Sequence, residues 1–223
     1  MEITWLGYSA FRIKSRDGFV VQDPYAGKNL GVPSITRTTA DIVTVSHEHA
    51  GHNNADAVKG EPYVVRGPGE YEVKGIFVFG IPTYHDSKKG AVHGSNTVYV
   101  LDTEEMRVCH LGDLGHIPTQ TQAEAIGSVD ILFVPVGGGN ALTPGQAVEV
   151  INMLDPRIVI PMHYSLDGED VKLEKLDKFL RAMGMEDKEV SHQETLKVTK
   201  KDLPEDGAQV VVLEPKREPA YLV

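Results

Sequence analysis

Apolar positions in the first half of the chain come in short runs bounded by turn residues, with no sustained helical spacing. Ile3–Leu6, Ala10–Ile13 and Phe19–Val21 are apolar or alternating. Gly7 and the turn Arg16-Asp17-Gly18 separate them, so they read as strands. Asp41–Val45 is a compact, β-branched run and predicts a buried strand. Tyr63–Val65, Glu70–Val73, Ile76–Phe79, Thr97–Leu101 and Arg107–Cys109 continue the series, punctuated by Gly67, Gly69, Gly75 and Gly80.

The second half alternates between helical and extended patterns. Gln120–Ile126 predicts a helix and Ile131–Val136 an apolar strand. Thr143–Leu154 carries its own start signal, with Thr143 as N-cap, Pro144 at the first helical position and Gln146 completing a T-x-x-Q capping box. Arg157–Ile160 predicts a strand. Lys172–Met183 predicts a helix with Leu173, Leu176, Phe179, Leu180 and Met183 on one face and Gly184 as its stop. Gln209–Leu213 closes the series as a strand. Strands first and strand–helix alternation later argue for sheets covered by helices, in one domain spanning 1–223 with no linker.

Composition adds boundaries. A chain of 223 residues can bury a core without disulfides, and its one cysteine, Cys109, rules out an internal disulfide and fits a reducing cytoplasm. No apolar run approaches the roughly 18 residues of a membrane span. The start MEITWLGYSA lacks the basic and apolar regions of a secretory signal. A formal charge of −10 argues against long nucleic acids, which need clustered Lys and Arg, but leaves room for a small-molecule substrate.

The histidines carry the chemical signal. His47, His49 and His52 fall in Ser46-His47-Glu48-His49-Ala50-Gly51-His52, directly after the buried strand. In an extended segment, residues i and i+2 point to one side, so His47 and His49 can face one ion. A turn through Ala50-Gly51 can bring His52 from another direction. Three further strand regions also end on histidine: Thr83-Tyr84-His85-Asp86, His110-Leu111-Gly112-Asp113-Leu114-Gly115-His116, and Pro161-Met162-His163-Tyr164. Convergent imidazoles and carboxylates with one open position are what a catalytic metal needs, and strand ends distant in sequence can assemble such a set. His93 and His192 have no such setting and read as solvated.

The succession H-x-H-x-x-H, Thr-Tyr-His-Asp, His-x-Gly-Asp and Pro-x-His-Tyr resembles the metallo-β-lactamase fold superfamily, over roughly positions 2 to 165. Thr4-Trp5-Leu6-Gly7 and Asp23-Pro24 look like the branch of L-ascorbate-6-phosphate lactonases and related metal-dependent hydrolases. The resemblance implies an α+β fold, an αββα sandwich of two mixed sheets flanked by helices, with a metal site at one edge between the sheets. His47, His49 and His85 would hold one divalent ion, and His52 and His163 a second. Asp113 would bridge them, and Asp23 would support the ligand loop. Asp113 and His116 are the catalytic candidates, Asp113 holding the ions or the water and His116 following the same turn towards substrate or towards the shell behind the ligands. His110 would pack behind the site. Tyr8 stands where many relatives carry His.

One position departs from that pattern. The superfamily reads H-x-H-x-D-H, and Gly51 replaces its Asp. A glycine can neither ligate the second ion nor orient water, which leaves His52, His163 and Asp113 there; Glu48, Asp86 and Glu70 are the acidic residues that could compensate. The implied cofactor is one or two divalent ions, zinc before manganese or iron. The implied reaction is hydrolysis of an ester, lactone or phosphoester, because a bound metal lowers the pKa of water from about 15.7 to about 7. Two rival readings are a degenerate relative that binds a metal or ligand without turnover, motivated by Gly51, and a small-substrate phosphodiesterase. Gly137-Gly138-Gly139, before the Thr143 helix, lacks a P-loop ending and reads as a tight loop beside the site or as backbone N–H groups offered to an anion.

Overall fold

In the N-terminal strands successive side chains face opposite ways and both sets are apolar, so this sheet must be covered on both sides. A computed structural model describes residues 1–27, 35, 37–166, 172–186 and 190–216. Its first strands are β1 (Glu2–Gly7), β2 (Ala10–Lys14), β3 (Phe19–Gln22), β4 (Thr38–Thr39), β5 (Ile42–Val45), β6 (Val58–Lys59) and β7 (Tyr63–Arg66). Then come β8 (Gly69–Val73), β9 (Ile76–Tyr84), β10 (Ser95–Thr103), β11 (Met106–His110) and helix α1 (Gln120–Ile126). The remainder is β12 (Ile131–Pro135), α2 (Pro144–Leu154), β13 (Ile158–Met162), α3 (Leu176–Ala182), β14 (Ser191–Gln193), β15 (Leu196–Lys197) and β16 (Gln209–Leu213).

Two mixed sheets result. One runs β15-β1-β2-β3-β5-β7 and the other β14-β16-β13-β12-β11-β10-β9-β8, with a small β4-β6 pair beside them. The first is antiparallel through β15, β1, β2 and β3, then parallel to β5 and β7. The second is antiparallel from β8 to β11 and parallel from β11 to β14. Their inner faces share a core in which Trp5, Phe11, Val20 and Ile42 meet Val78, Val100, Val108 and Phe133. Phe11 of β2 stacks on Phe133 of β12 at 4.1 Å. The alternate residues Leu6, Ala10, Val21, Val43 and Val45 form a second cluster with Tyr25, Ile35 and Val58 on the outer side of the first sheet. This is an α+β sandwich. Among the described residues no helix is long and apolar enough to cross a membrane.

Local signals explain the helices. Thr143 caps α2 by accepting from the Gln146 N–H, the Gln146 side chain returns the bond, and Pro144 fills the first turn. Thr119 and Gln122 repeat that box at α1. The expected helix over Lys172–Met183 forms only from Leu176. The Glu174 N–H donates to Gly137 O at 2.8 Å, and Glu174 O accepts from the Ser165 N–H at 3.0 Å. Tertiary bonds therefore claim this backbone before a helix can, and Leu173 lines a cleft instead.

Candidate metal centre

The site lies where the strands of both sheets end. Ser46–His52 follows β5, His85 follows β9, Asp113 lies in the turn after β11, and His163 follows β13. A bond between the sheets ties this edge together, the Thr97 N–H donating to Ser46 O at 2.8 Å. Asn96 fixes the Asp113 turn. Its amide donates to Leu111 O at 2.9 Å, and its Oδ1 accepts from the Asp113 N–H at 3.0 Å. Gly112 must be glycine there, with φ +58° and no room for a side chain against Ser46 and Asn96.

One carboxylate oxygen is the centre. Asp113 Oδ2 lies 3.1 Å from His52 Nε2, 3.3 Å from His85 Nε2, 3.4 Å from His163 Nε2 and 3.8 Å from His47 Nε2. Three sets of donor atoms gather among the described residues, His47 with His49 and His85, His52 with Asp113 and His163, and Asp23 with His47 and His52; the last set is bound together through Ser46 and the His52–Asp23 contact. Two ligands about 2.0–2.2 Å from one tetrahedral ion stand about 3.3–3.6 Å apart; the His85 and His163 separations fall in that range, and those of His52 and His47 lie about 0.2 Å to either side of it. The Nε2 atoms of His47, His52 and His163 and Oδ1 of Asp113 are buried and make no hydrogen bond among the described residues. Buried polar atoms without partners are costly, and four of them within one cluster of metal-ligating side chains fit a cation held there.

The shell behind the cluster decides which ring nitrogen faces inward. Asp23 is fully buried; it accepts from the Ser46 N–H at 2.8 Å, the Ser46 hydroxyl at 2.5 Å and His52 Nδ1 at 2.7 Å. With its proton committed to Asp23, Ser46 Oγ accepts from His47 Nδ1 at 2.9 Å. His85 Nδ1 donates to Asn140 O at 3.1 Å. Three imidazoles thus commit Nδ1 to outer partners and turn Nε2 towards Asp113. Tyr8, Asp23 and His163 all hold left-handed backbone, with φ of 54°, 46° and 53°. Such conformations cost about 1–3 kcal/mol each and collect at functional sites.

The electrostatics agree. Burial lowers His47 to about 2 and His163 to about 4, keeping both neutral. Burial also opposes charge on His52, but Asp113 and Asp23 outweigh it and raise His52 to about 10. Burial would raise Asp113, yet the surrounding histidines hold it well below the usual carboxylate range. The cluster therefore draws positive charge to the point between His52 and Asp113, whether a proton or a metal cation.

Of the sequence-derived candidates, the structure brings together His47, His49, His52, His85, Asp113 and His163. It does not bring His116 to them. The Tyr84 N–H donates to His116 Nε2 at 3.3 Å and His116 Nδ1 donates to Ile117 O at 2.8 Å, so backbone occupies both ring nitrogens. His110 packs behind the centre; its Nε2 donates to Ser9 O at 2.8 Å, and its Nδ1 accepts from the Gly112 N–H at 3.0 Å. The possible acidic substitutes are engaged elsewhere. Glu48 pairs with Arg66 at 2.7 Å, Glu70 is exposed, and Asp86 accepts four backbone N–H groups, from Lys88, Gly90, Val92 and His93. That Asp86 loop places His93 with its ring 5.6 Å from the His85 ring, in a cleft it shares with His47 and His49. As an isolated histidine His93 gave no sequence signal. Within the glycine loop, the Gly138 N–H donates to Leu142 O at 3.0 Å, which closes a turn.

A family model described as a beta-lactamase superfamily domain matches residues 2–163. The chain belongs to that superfamily. It is similar to a solved structure from Thermotoga maritima, a candidate Zn-dependent hydrolase of the metallo-beta-lactamase superfamily. The TM-score is 0.76 and the identity 34%, over 96% of this chain and 98% of that one. A UPF0173 protein of Pyrococcus abyssi is 29% identical over 186 residues, 75% of this chain and 85% of the relative. A UPF0173 metal-dependent hydrolase of Thermococcus onnurineus is 24% identical over 191 residues, 74% of this chain and 85% of the relative. The superfamily expectation is met, and with it the expected sandwich.

Proposed function

We propose that this superfamily member is a metal-dependent hydrolase of an ester, lactone or phosphoester. The observation that carries the reading is the convergence of four Nε2 atoms on Asp113 Oδ2 within 3.8 Å, with three of those nitrogens otherwise unpartnered. His47, His49 and His85 would hold one divalent ion, zinc by the donor chemistry, with manganese or iron as alternatives. His52 and His163 would hold a second, and Asp113 would stand between them. When bound, the ions supply Lewis acidity and lower the pKa of water from about 15.7 to about 7.

The protein's own groups do the rest. Asp23, Ser46 and Asn140 O hold Nδ1 of His52, His47 and His85, so these three rings already present Nε2 inward, and only the proton that His52 shares with Asp113 has to be displaced when a cation binds. Asp113 is anionic across the neutral range and can hold the proton-donating side of a water molecule. His49 is the exposed ligand of its set and marks the open side. Substrate would enter by the cleft of about 390 Å³ that His49, His85, Asp113 and His163 line together with Asn140 and Lys172. Lys172 at that cleft favours a small phosphoester as the second reading, because a cation there offsets the charge of an anionic substrate.

The test is a hydrolysis panel on metal-loaded protein covering carboxylic esters, lactones, phosphomonoesters and small phosphodiesters. Turnover of one class, abolished by His47→Ala and by chelation, is expected. If phosphoesters are the class, Lys172→Ala raises KM with little change in kcat. Full metal loading without turnover of any class would favour a non-catalytic metal-binding relative.

A further inference from the structure

We propose that Tyr8 is the positioning residue of the His52–Asp113–His163 half of the centre, and that Gly51 is glycine because the Tyr8 ring occupies the space a side chain would need. The proposal rests on the metal-centre reading above. A Cβ at Gly51 would lie 2.6 Å from Tyr8 Cε1, 3.3 Å from Cδ1 and 3.4 Å from Cζ, and these are its three nearest neighbours. Gly51 is not among the glycines with positive φ, so its backbone suits any residue; contact with Tyr8 is what excludes a side chain.

His163 shows why the ring matters. His47, His52 and His85 each have Nδ1 held by a polar partner. Among the described residues His163 Nδ1 has none. What orients His163 is its left-handed backbone, a bond from its N–H to Tyr8 O at 3.0 Å, and the Tyr8 ring edge-on at 4.4 Å and 66°. Tyr8 O also accepts from Trp5 Nε1 at 3.1 Å, so buried Trp5 anchors the Tyr8 backbone, and the ring leans on His52 at 5.5 Å. Packing by Tyr8 thus holds the orientation of the His163 ring, which hydrogen bonds do for the other three imidazoles. A carboxylate at position 51 cannot approach the His52–His163 side while that ring is in place.

Metal stoichiometry and affinity, measured by elemental analysis and chelator competition, and thermal unfolding together test the idea on the full chain. Tyr8→Phe is expected to keep both ions at wild-type affinity. Tyr8→Ala is expected to weaken one of the two ions by about 10–100-fold and leave the other unchanged, the effect typical of losing a group that orients a ligand. Gly51→Ala and Gly51→Asp are each expected to lower Tm without gain in metal affinity. Adding Tyr8→Ala to either should restore Tm, and in the Gly51→Asp background should tighten the weakened ion. Two ions bound at wild-type affinity by Tyr8→Ala, or a gain in affinity by Gly51→Asp with Tyr8 present, would overturn the proposal. So would loss of an ion in Tyr8→Phe, which would transfer the role to the hydroxyl. Wild-type protein that takes up no ion would sink the metal-centre reading itself. The Tm coupling between positions 8 and 51 would then still report on the steric pairing alone.

Discussion

Asp23→Asn changes one atom of a buried carboxylate, and its consequence follows from the proton inventory around it. Asp23 accepts three hydrogen bonds: Ser46 N–H to Oδ1, and Ser46 Oγ–H and His52 Nδ1–H both to Oδ2. An asparagine has one acceptor oxygen, so either rotamer sets its NH2 against a donor. If the NH2 takes the Oδ2 place, His52 must accept at Nδ1, which moves its proton to Nε2, the atom 3.1 Å from Asp113 Oδ2. A protonated Nε2 cannot ligate. In the other rotamer the Ser46 N–H faces an N–H group, and the turn carrying His47 must shift. Removing an outer partner of a metal-bound histidine costs about 10–100-fold in affinity, which is about 1.4–2.7 kcal/mol. An unmatched buried donor costs a further 1–3 kcal/mol or so of folding stability. Chelator competition reads the first and urea unfolding of metal-free protein the second. Metal affinity within about threefold of wild type in a folded Asp23→Asn protein would refute the tautomer argument.

Three further outcomes follow from other contacts. Lys74 at 2.6 Å and the Phe19 N–H at 2.8 Å hold the Asp41 carboxyl below its ordinary 3.8. A depressed pKa in the folded state gives stability that is present above the unfolded value and lost as pH falls through the folded one. Asp41→Asn should therefore flatten the acid limb of stability below pH ~4 by about 1 kcal/mol, read by urea midpoints at several pH values, the largely exposed Lys74 limiting the effect. Gly112→Ala places a Cβ 2.6 Å from that of Ser46 on a left-handed backbone, and should cost about 2–5 kcal/mol of stability; a loss under about 1 kcal/mol would contradict the packing described for the Asp113 turn. Burial pushes the Cys109 thiol up, so native protein should resist alkylation at pH 8 and take up the reagent only in denaturant.

The parts of the molecule that were legible in sequence are those where local and global demands coincide. Phe11, Val20 and Val43 sit in runs whose alternation matches a two-sided sheet, and Thr143, Pro144 and Gln146 start α2 by contacts within one turn. Leu173 shows the opposite case. Its apolar character fits helical spacing with Leu176, but the bond from Glu174 N–H to Gly137 O depends on a distant loop and extends the chain there. The paired stretches β4, β6, β14 and β15 span two or three residues each, too few to impose a period. The ligand candidates stood out because imidazoles are scarce and these fall at strand ends. Asn96, Ser46 and His93 did not, since their roles come from neighbours far along the chain. His116 shared the spacing of a site residue, and its ring is tied to the backbone of Tyr84 and Ile117.

The most direct test of the metal centre is anomalous diffraction from crystals loaded with zinc, recorded on both sides of the absorption edge. The account predicts two anomalous peaks flanking Asp113, each about 2.0–2.1 Å from its histidine nitrogens. One peak would have Nε2 of His47 and His85 together with His49 around it, the other His52 and His163. Wild-type crystals with zinc bound elsewhere on the surface and no peak beside Asp113 would contradict it.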